Sequence, residues 1–300
     1  MPVAVRALRR ALWKLRPIQS LHNLRRARRD AARLDPARPD RAPILVYQMA
    51  KVGSTTVHAT LEALDPPRRP CLKVHFLSPE GARRERGLDR RVGGLAYVSY
   101  QGALSVRLGE RLRRCGGRFQ LPVVSLVRDP IARQVSGVFQ SPDFASVSLR
   151  DRSGCFDVDR VVAYLEECFL TAPPGHGADS WFDEELGTVF GVDVFAQPFP
   201  RERGYTILRE KRARVLLLRV EDLDRTLGPA LCEFLDLPKE PAIVRSNVRG
   251  RSGDAAEYAR VLERFRLPRE IVDEIYARRL VRHFYSEEMI AGFARRWTAV

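Results

Sequence analysis

Ile44-Leu-Val-Tyr-Gln-Met-Ala-Lys-Val-Gly-Ser-Thr-Thr-Val57 decides how the chain folds. Ile44 to Tyr47 form an apolar run with branched side chains, which reads as a buried strand. The run ends in Gly53-Ser54-Thr55-Thr56, and beyond it Val57, Leu61 and Leu64 fall at i, i+4 and i+7 on one helix face. A strand, a small polar turn and a helix are how a parallel α/β sheet builds an anion site. The unpaired N–H groups of the first helical turn and the positive end of its dipole converge there. Gly53 lets the backbone come close, the hydroxyls of Ser54, Thr55 and Thr56 add donors, and Lys51 adds a full charge. The stretch predicts a loop that holds a phosphate or phosphosulfate group.

Outward from this loop, strand and helix patterns alternate. Cys71 to Leu77, Leu95 to Tyr100, Pro122 to Val127 and Ala213 to Val220 read as strands. Residues 80–91 form a charged surface helix or loop, and helices are expected near 104–114, 157–170 and 222–235. Two or three more close the chain from about 254 to 297. Asp129-Pro130 opens a further helix, with Asp as cap and Pro in the first position, and Ile131, Val135, Val138 and Phe139 make its buried stripe. The order predicts an α/β protein with a three-layer parallel sheet.

The chain is 300 residues long and 45% hydrophobic, enough for a core. No apolar run reaches the roughly 18 residues of a membrane span, and the first residues lack the pattern of a secretory signal. The five cysteines (71, 115, 155, 168, 232) have no zinc-like spacing. They read as free thiols of a reducing cytoplasm. Net charge is +15, of which +9 falls in residues 1–41 and +6 in the remainder. Residues 1–41 therefore read as a basic arm, solvated and partly disordered, or helical on an anionic membrane surface through Leu8, Leu12 and Leu15. Residues 42–300 read as one domain. A body this mildly basic suits anionic small molecules and does not require a nucleic acid.

The opening loop differs from a nucleoside-triphosphatase P-loop. That motif places Lys directly after its last Gly, whereas Lys51 precedes Gly53. A lysine ahead of the turn reaches over a single terminal group. A second signal is Leu126-Val-Arg-Asp-Pro-Ile-Ala-Arg-Gln-Val-Ser136. Arg128 stands at a strand end. Ser136 lies two turns into the next helix, toward the surface side with Ala132, Arg133 and Gln140. A guanidinium fork and a hydroxyl so placed can meet on one phosphate.

Together the two segments resemble sulfotransferases that use 3′-phosphoadenosine 5′-phosphosulfate (PAPS). Lys51-Val52-Gly53-Ser54-Thr55-Thr56 is similar to that superfamily's 5′-phosphosulfate loop, and Arg128 with Ser136 has the spacing of its 3′-phosphate site. Arg249-Gly-Arg-Ser-Gly-Asp254 is similar to its late nucleotide-covering loop, with Val248 ahead of Arg249 and no aromatic after Asp254 as departures. This resemblance implies that Arg249 and Arg251 touch the nucleotide. The segments Ala50–Thr56, Trp181–Asp193, Pro198–Pro200 and His283 to Trp297 further resemble a bacterial, sulfotransferase-like family of capsular polysaccharide synthesis proteins.

The resemblance implies a P-loop-like sulfotransferase fold, PAPS as cofactor and a hydroxyl acceptor, in particular a glycan. It makes Lys51 the group acting on the transferred sulfuryl. It also implies a His or Glu base. His75 at the second strand's end has a suitable unperturbed pKa near 6.5. Glu184, Glu185 and His176 are rivals, while His58 on the first helix reads as structural. Trp181 and Phe182 read as core or as the lining of a sugar pocket. No metal is implied. Two other classes stay open: a P-loop kinase or NTPase, and a non-catalytic protein that binds membrane or nucleic acid through its arm.

Overall fold

The computed structural model describes residues 16–64, 69–93, 97–116, 120–142, 145–171, 179–245 and 253–299. Five strands form one sheet in the order β2-β1-β3-β5-β4. They are β1 (Ile44–Tyr47), β2 (Cys71–Val74), β3 (Leu121–Val127), β4 (Tyr205–Arg209) and β5 (Ala213–Arg219). The first four places in that order run parallel, with β3 and β5 in register over seven residues from Leu121↔Ala213 to Val127↔Arg219. All four residues of β1 are buried, as expected for an inner strand. On the edge strand β2, only Leu72 and Val74 are buried.

The sheet is α/β and flanked by helices, but not wholly parallel: β4 pairs antiparallel with β5. The sequence reading missed β4 because Tyr205-Thr-Ile-Leu-Arg209 is only partly apolar. Tyr205 alone of its five residues is buried. Of the expected strand at Leu95–Tyr100, residues 95 and 96 lie outside the described residues, 97–99 are irregular, and Ser99 instead caps a helix, its Oγ accepting the Gly102 N–H at 2.9 Å. An apolar run beside a serine cap was misread as a strand.

The helices are α1 (Arg16–Ala31), α2 (Ser54–Glu62), α3 (Pro79–Gly93), α4 (Tyr100–Cys115), α5 (Pro130–Gln140), α6 (Val158–Thr171), the single turn α7 (Thr188–Phe190), α8 (Leu223–Leu235), α9 (Ala255–Arg264), α10 (Arg269–Ala277), α11 (Arg279–Phe284) and α12 (Glu287–Trp297). Four helices close the chain rather than two or three. Pro268 precedes α10, and Arg278 and Tyr285 take extended backbone that separates α10, α11 and α12. A π-helical turn, Phe182–Gly187, runs into α7. Helix α1 packs on α4 and sends Ala27 and Ala31 into the core. No helix among the described residues is long and apolar enough to cross a membrane.

Candidate functional site

The chain leaves β1, forms β2 on one side of it, and then crosses to β3 on the other side. Such a reversal opens a crevice beyond the carboxyl ends of the two diverging strands, where open α/β sheets bind ligands. In this protein the segments following β1 and β3 are Gln48–Gly53 and Arg128–Asp129.

Lys51 and Gly53 both adopt left-handed backbone, each with φ +70°. Glycine takes this conformation without penalty, but lysine is held there at a cost of about 1–3 kcal/mol. Helix α2 starts at Ser54 with Gly53 as its N-cap, which has no side chain to make a capping bond. Gly53 is exposed, Ser54 buried, and Thr55 and Thr56 half-buried. The Arg128 Nη1 donates to the Lys51 carbonyl at 3.0 Å, tying the two loops together, while the Lys51 ammonium reaches Ser141 Oγ at 3.3 Å. Val52 is fully buried and anchors the loop.

His75 follows β2 directly. Its Nδ1 lies 3.0 Å from the Gln48 carbonyl, to which it donates in the neutral ring. That bond leaves Nε2 as the unprotonated nitrogen. The Trp181 indole N–H fixes the same segment by donating to the His75 carbonyl at 3.0 Å. Burial is the main cause that pushes the His75 pKa down to about 4, with the charges of Lys73 and Lys51 acting in the same direction. The Lys51 charge is thus felt at His75.

The rival bases fare differently. Glu185 is buried, and its carboxylate accepts from the Leu77 N–H (2.7 Å), the Ser78 N–H (2.9 Å), the Ser78 hydroxyl (2.6 Å) and the Tyr47 hydroxyl. Ser78 in turn accepts the Gly81 N–H at 2.9 Å, so this carboxylate sits at the start of α3. It is a structural anchor. Glu184 faces outward and pairs with Arg84 at 2.7 Å. Trp181 and Phe182 are core residues, 2% and 0% exposed. His176, Arg249 and Arg251 lie outside the described residues, as do residues 1–15 of the basic arm.

Asp129 caps α5 as the sequence suggests, accepting from the Ile131 N–H at 3.0 Å and the Ala132 N–H at 3.3 Å. The same carboxylate accepts from the Tyr276 hydroxyl at 3.0 Å and the Trp297 indole at 2.9 Å. The C-terminal helices thereby brace the turn that carries Arg128. Ser136, expected near the surface, is buried at 9% exposure, and Arg133 on the adjacent turn is half-buried. Of the helix face that looked polar in sequence, Ala132 and Arg133 are half-buried and Ser136 is buried, while Gln140 at its end is exposed.

Two groups were not foreseen. The Arg133 guanidinium is pushed down in pKa, first by burial, with Asp179 opposing that shift and Arg128 adding to it. Its Nε has no hydrogen-bond partner among the described residues. Arg278 approaches the same Asp179 at 3.4 Å. Helical spacing carried a signal here, since Arg133 precedes Ser136 by three residues. Glu221, after β5, accepts from the Asp129 N–H at 2.8 Å and the Tyr285 hydroxyl at 3.1 Å. Although solvent-accessible, it is raised to about 7, chiefly by desolvation. Its place beyond a sheet strand, like that of Arg128, could have drawn attention to it.

A family model described as NKWYS, "Putative capsular polysaccharide synthesis protein", matches residues 155–286. That span contains the Glu185 anchor and Glu221, while Lys51, His75 and Arg128 precede it. No curated protein and no solved structure matches the chain. No group of three or more His, Cys, Asp or Glu that could hold a metal occurs among the described residues.

Proposed function

We propose that the protein transfers a sulfuryl group from PAPS to a hydroxyl, on a glycan of the kind that capsular polysaccharide synthesis would handle, using a P-loop-like sulfotransferase fold. The observation that carries this reading is the strained Lys51 loop at the β1/β3 reversal, bound by Arg128 and within electrostatic reach of a neutral His75. The donor set suits the nucleotide: an uncapped helix start, an ammonium and a guanidinium offer fixed positive charge to phosphates. The family match supports the glycan, and its name says no more than that.

When bound, PAPS would supply the sulfuryl group, with PAP as the leaving group, its 5′-phosphate keeping the bridging oxygen and its charge. As the acceptor oxygen bonds to sulfur, His75 Nε2 takes the hydroxyl proton. Lys51, together with the N–H groups of Ser54 and Thr55, neutralises the charge left on the departing 5′-phosphate as the sulfur–oxygen bond breaks. Arg128 and Ser136 hold the 3′-phosphate. A pKa near 4 keeps His75 unprotonated at neutral pH. Anionic ligand beside Lys51 offsets the ammonium's effect and makes His75 more basic.

Calorimetry with the product nucleotide PAP at low salt tests the reading. Binding that Arg128→Ala weakens, together with turnover that Lys51→Ala abolishes, is the expected result. A protein that shows no PAP binding but hydrolyses ATP with magnesium would belong instead to the kinase and NTPase class.

A further inference from the structure

A cavity of about 490 Å³ opens between α1, α2, the start of β2 and the start of α4. It lies on the edge strand, two to four residues upstream of His75, and nothing in the proposed reaction uses it. Five basic side chains line it, Arg26, Arg29, Arg33, Arg69 and Lys73, against the acidic Asp30 and Glu62, an excess of three positive charges.

The wall is built rather than incidental. Asp30, 5% exposed, gathers Arg26, Arg29 and Arg33 within 3.4–3.7 Å and accepts the Tyr100 hydroxyl at 2.9 Å. Arg26 lies over the Tyr100 ring at 4.2 Å. One carboxylate thus orders three guanidiniums and neutralises one of them. Glu62 pairs with His58 at 3.2 Å, and Lys73 has no carboxylate partner among the described residues. Gln101, also in the wall, has a buried Oε1 with no hydrogen-bond partner among the described residues.

We propose that this cavity is a binding site for a phosphate-bearing ligand. The guanidiniums and the Lys73 ammonium would hold the phosphate oxygens, and the Gln101 carbonyl would accept a hydroxyl of the group the phosphate esterifies. The volume suits a small molecule or a headgroup. Two sources offer this chemistry: a soluble phosphate ester, or an anionic lipid headgroup. The lipid source would also engage Ile18 and Leu21, which are 39% and 50% exposed on α1 and precede the basic residues of the same helix. The site is independent of the sulfotransfer reading.

The test uses the full chain carrying Lys51→Ala, so that phosphate at the nucleotide loop does not contribute. One arm titrates sn-glycerol 3-phosphate by calorimetry. The other co-sediments the protein with phosphatidylglycerol-containing vesicles and with phosphatidylcholine alone. Saturable binding in either arm is expected, weakened about 10- to 30-fold by Arg69→Gln with Lys73→Gln. Lys73→Arg should retain it. The surface pair Lys211→Gln with Lys239→Gln, which removes the same charge elsewhere, should change it less than 2-fold. Additional loss of vesicle binding in Ile18→Ser with Leu21→Ser assigns the lipid source. Absence of binding in both arms, or equal loss from the cavity pair and the surface pair, overturns the proposal.

Discussion

Replacing Glu185 with Ala removes the one acceptor shared by four donors. The Ser78 hydroxyl can rotate and still accepts from Gly81, so it is not counted as lost. The Leu77 N–H, the Ser78 N–H and the Tyr47 hydroxyl are fixed, and Tyr47 is fully buried. Three stranded donors at about 1–3 kcal/mol each set the scale. Water entering the vacated space recovers part of it, leaving about 4–5 kcal/mol. That is a third or more of the stability of many domains, and it corresponds to a fall in Tm of about 10 °C. Glu184→Ala, one residue away, should cost under about 0.5 kcal/mol, because its partner Arg84 is an exposed surface ion pair. Urea unfolding followed by circular dichroism measures both. If Glu185→Ala stays within about 1 kcal/mol of wild type while turnover collapses, Glu185 is a catalytic base and its description as an anchor is wrong.

Four further outcomes follow from the same geometry. A Cβ on Gly81 would stand 2.0 Å from Glu185 Oε1, so Gly81→Ala should destabilise by about 3 kcal/mol, read by thermal melting. Lys51→Gly should relieve left-handed strain, raising stability by about 1 kcal/mol while eliminating turnover; a loss of stability would show that the lysine conformation is not strained. Trp297→Phe removes a donor to buried Asp129 and should cost about 1.5–3 kcal/mol and weaken PAP binding in calorimetry. His75 should impose a pH dependence. Its folded pKa, about 4, lies below the unfolded value near 6.5, so between these values the unfolded chain binds more protons. Its contribution is complete above pH 6.5 and is lost as pH falls toward 4, by at most about 3 kcal/mol. A His75→Phe protein should lack that slope in urea titrations from pH 7 to 4.5.

The inner strands were legible because burial on both faces writes itself as apolar runs, as in Ile44–Tyr47 and in Val123–Val127, which only Ser125 interrupts. Edge strand β4 left no such signature, since only Tyr205 is buried. The loops after β1 and β3 were legible for a different reason: lysine, glycine and hydroxyls at fixed offsets state a local geometry. The Asp129 cap was legible, but not its bonds to Tyr276 and Trp297, because such pairing is set by tertiary packing and has no local pattern. The same holds for Glu185, whose partners lie more than 100 residues earlier. Arg133 was hidden by its polar helix face, which the fold half-buries at Arg133 and buries at Ser136.

The Asp129–Trp297 bond has a consequence in time as well as in space. Its partners are 168 residues apart in sequence. A ribosome adding about 5–20 residues each second makes Asp129 roughly 8–34 s before Trp297 emerges. Through that interval the turn bearing Arg128 exists without its brace. A nascent chain can fold its early strands, yet it does not finish this turn until α12 arrives, so the turn gains its brace only after every strand of the sheet has been made.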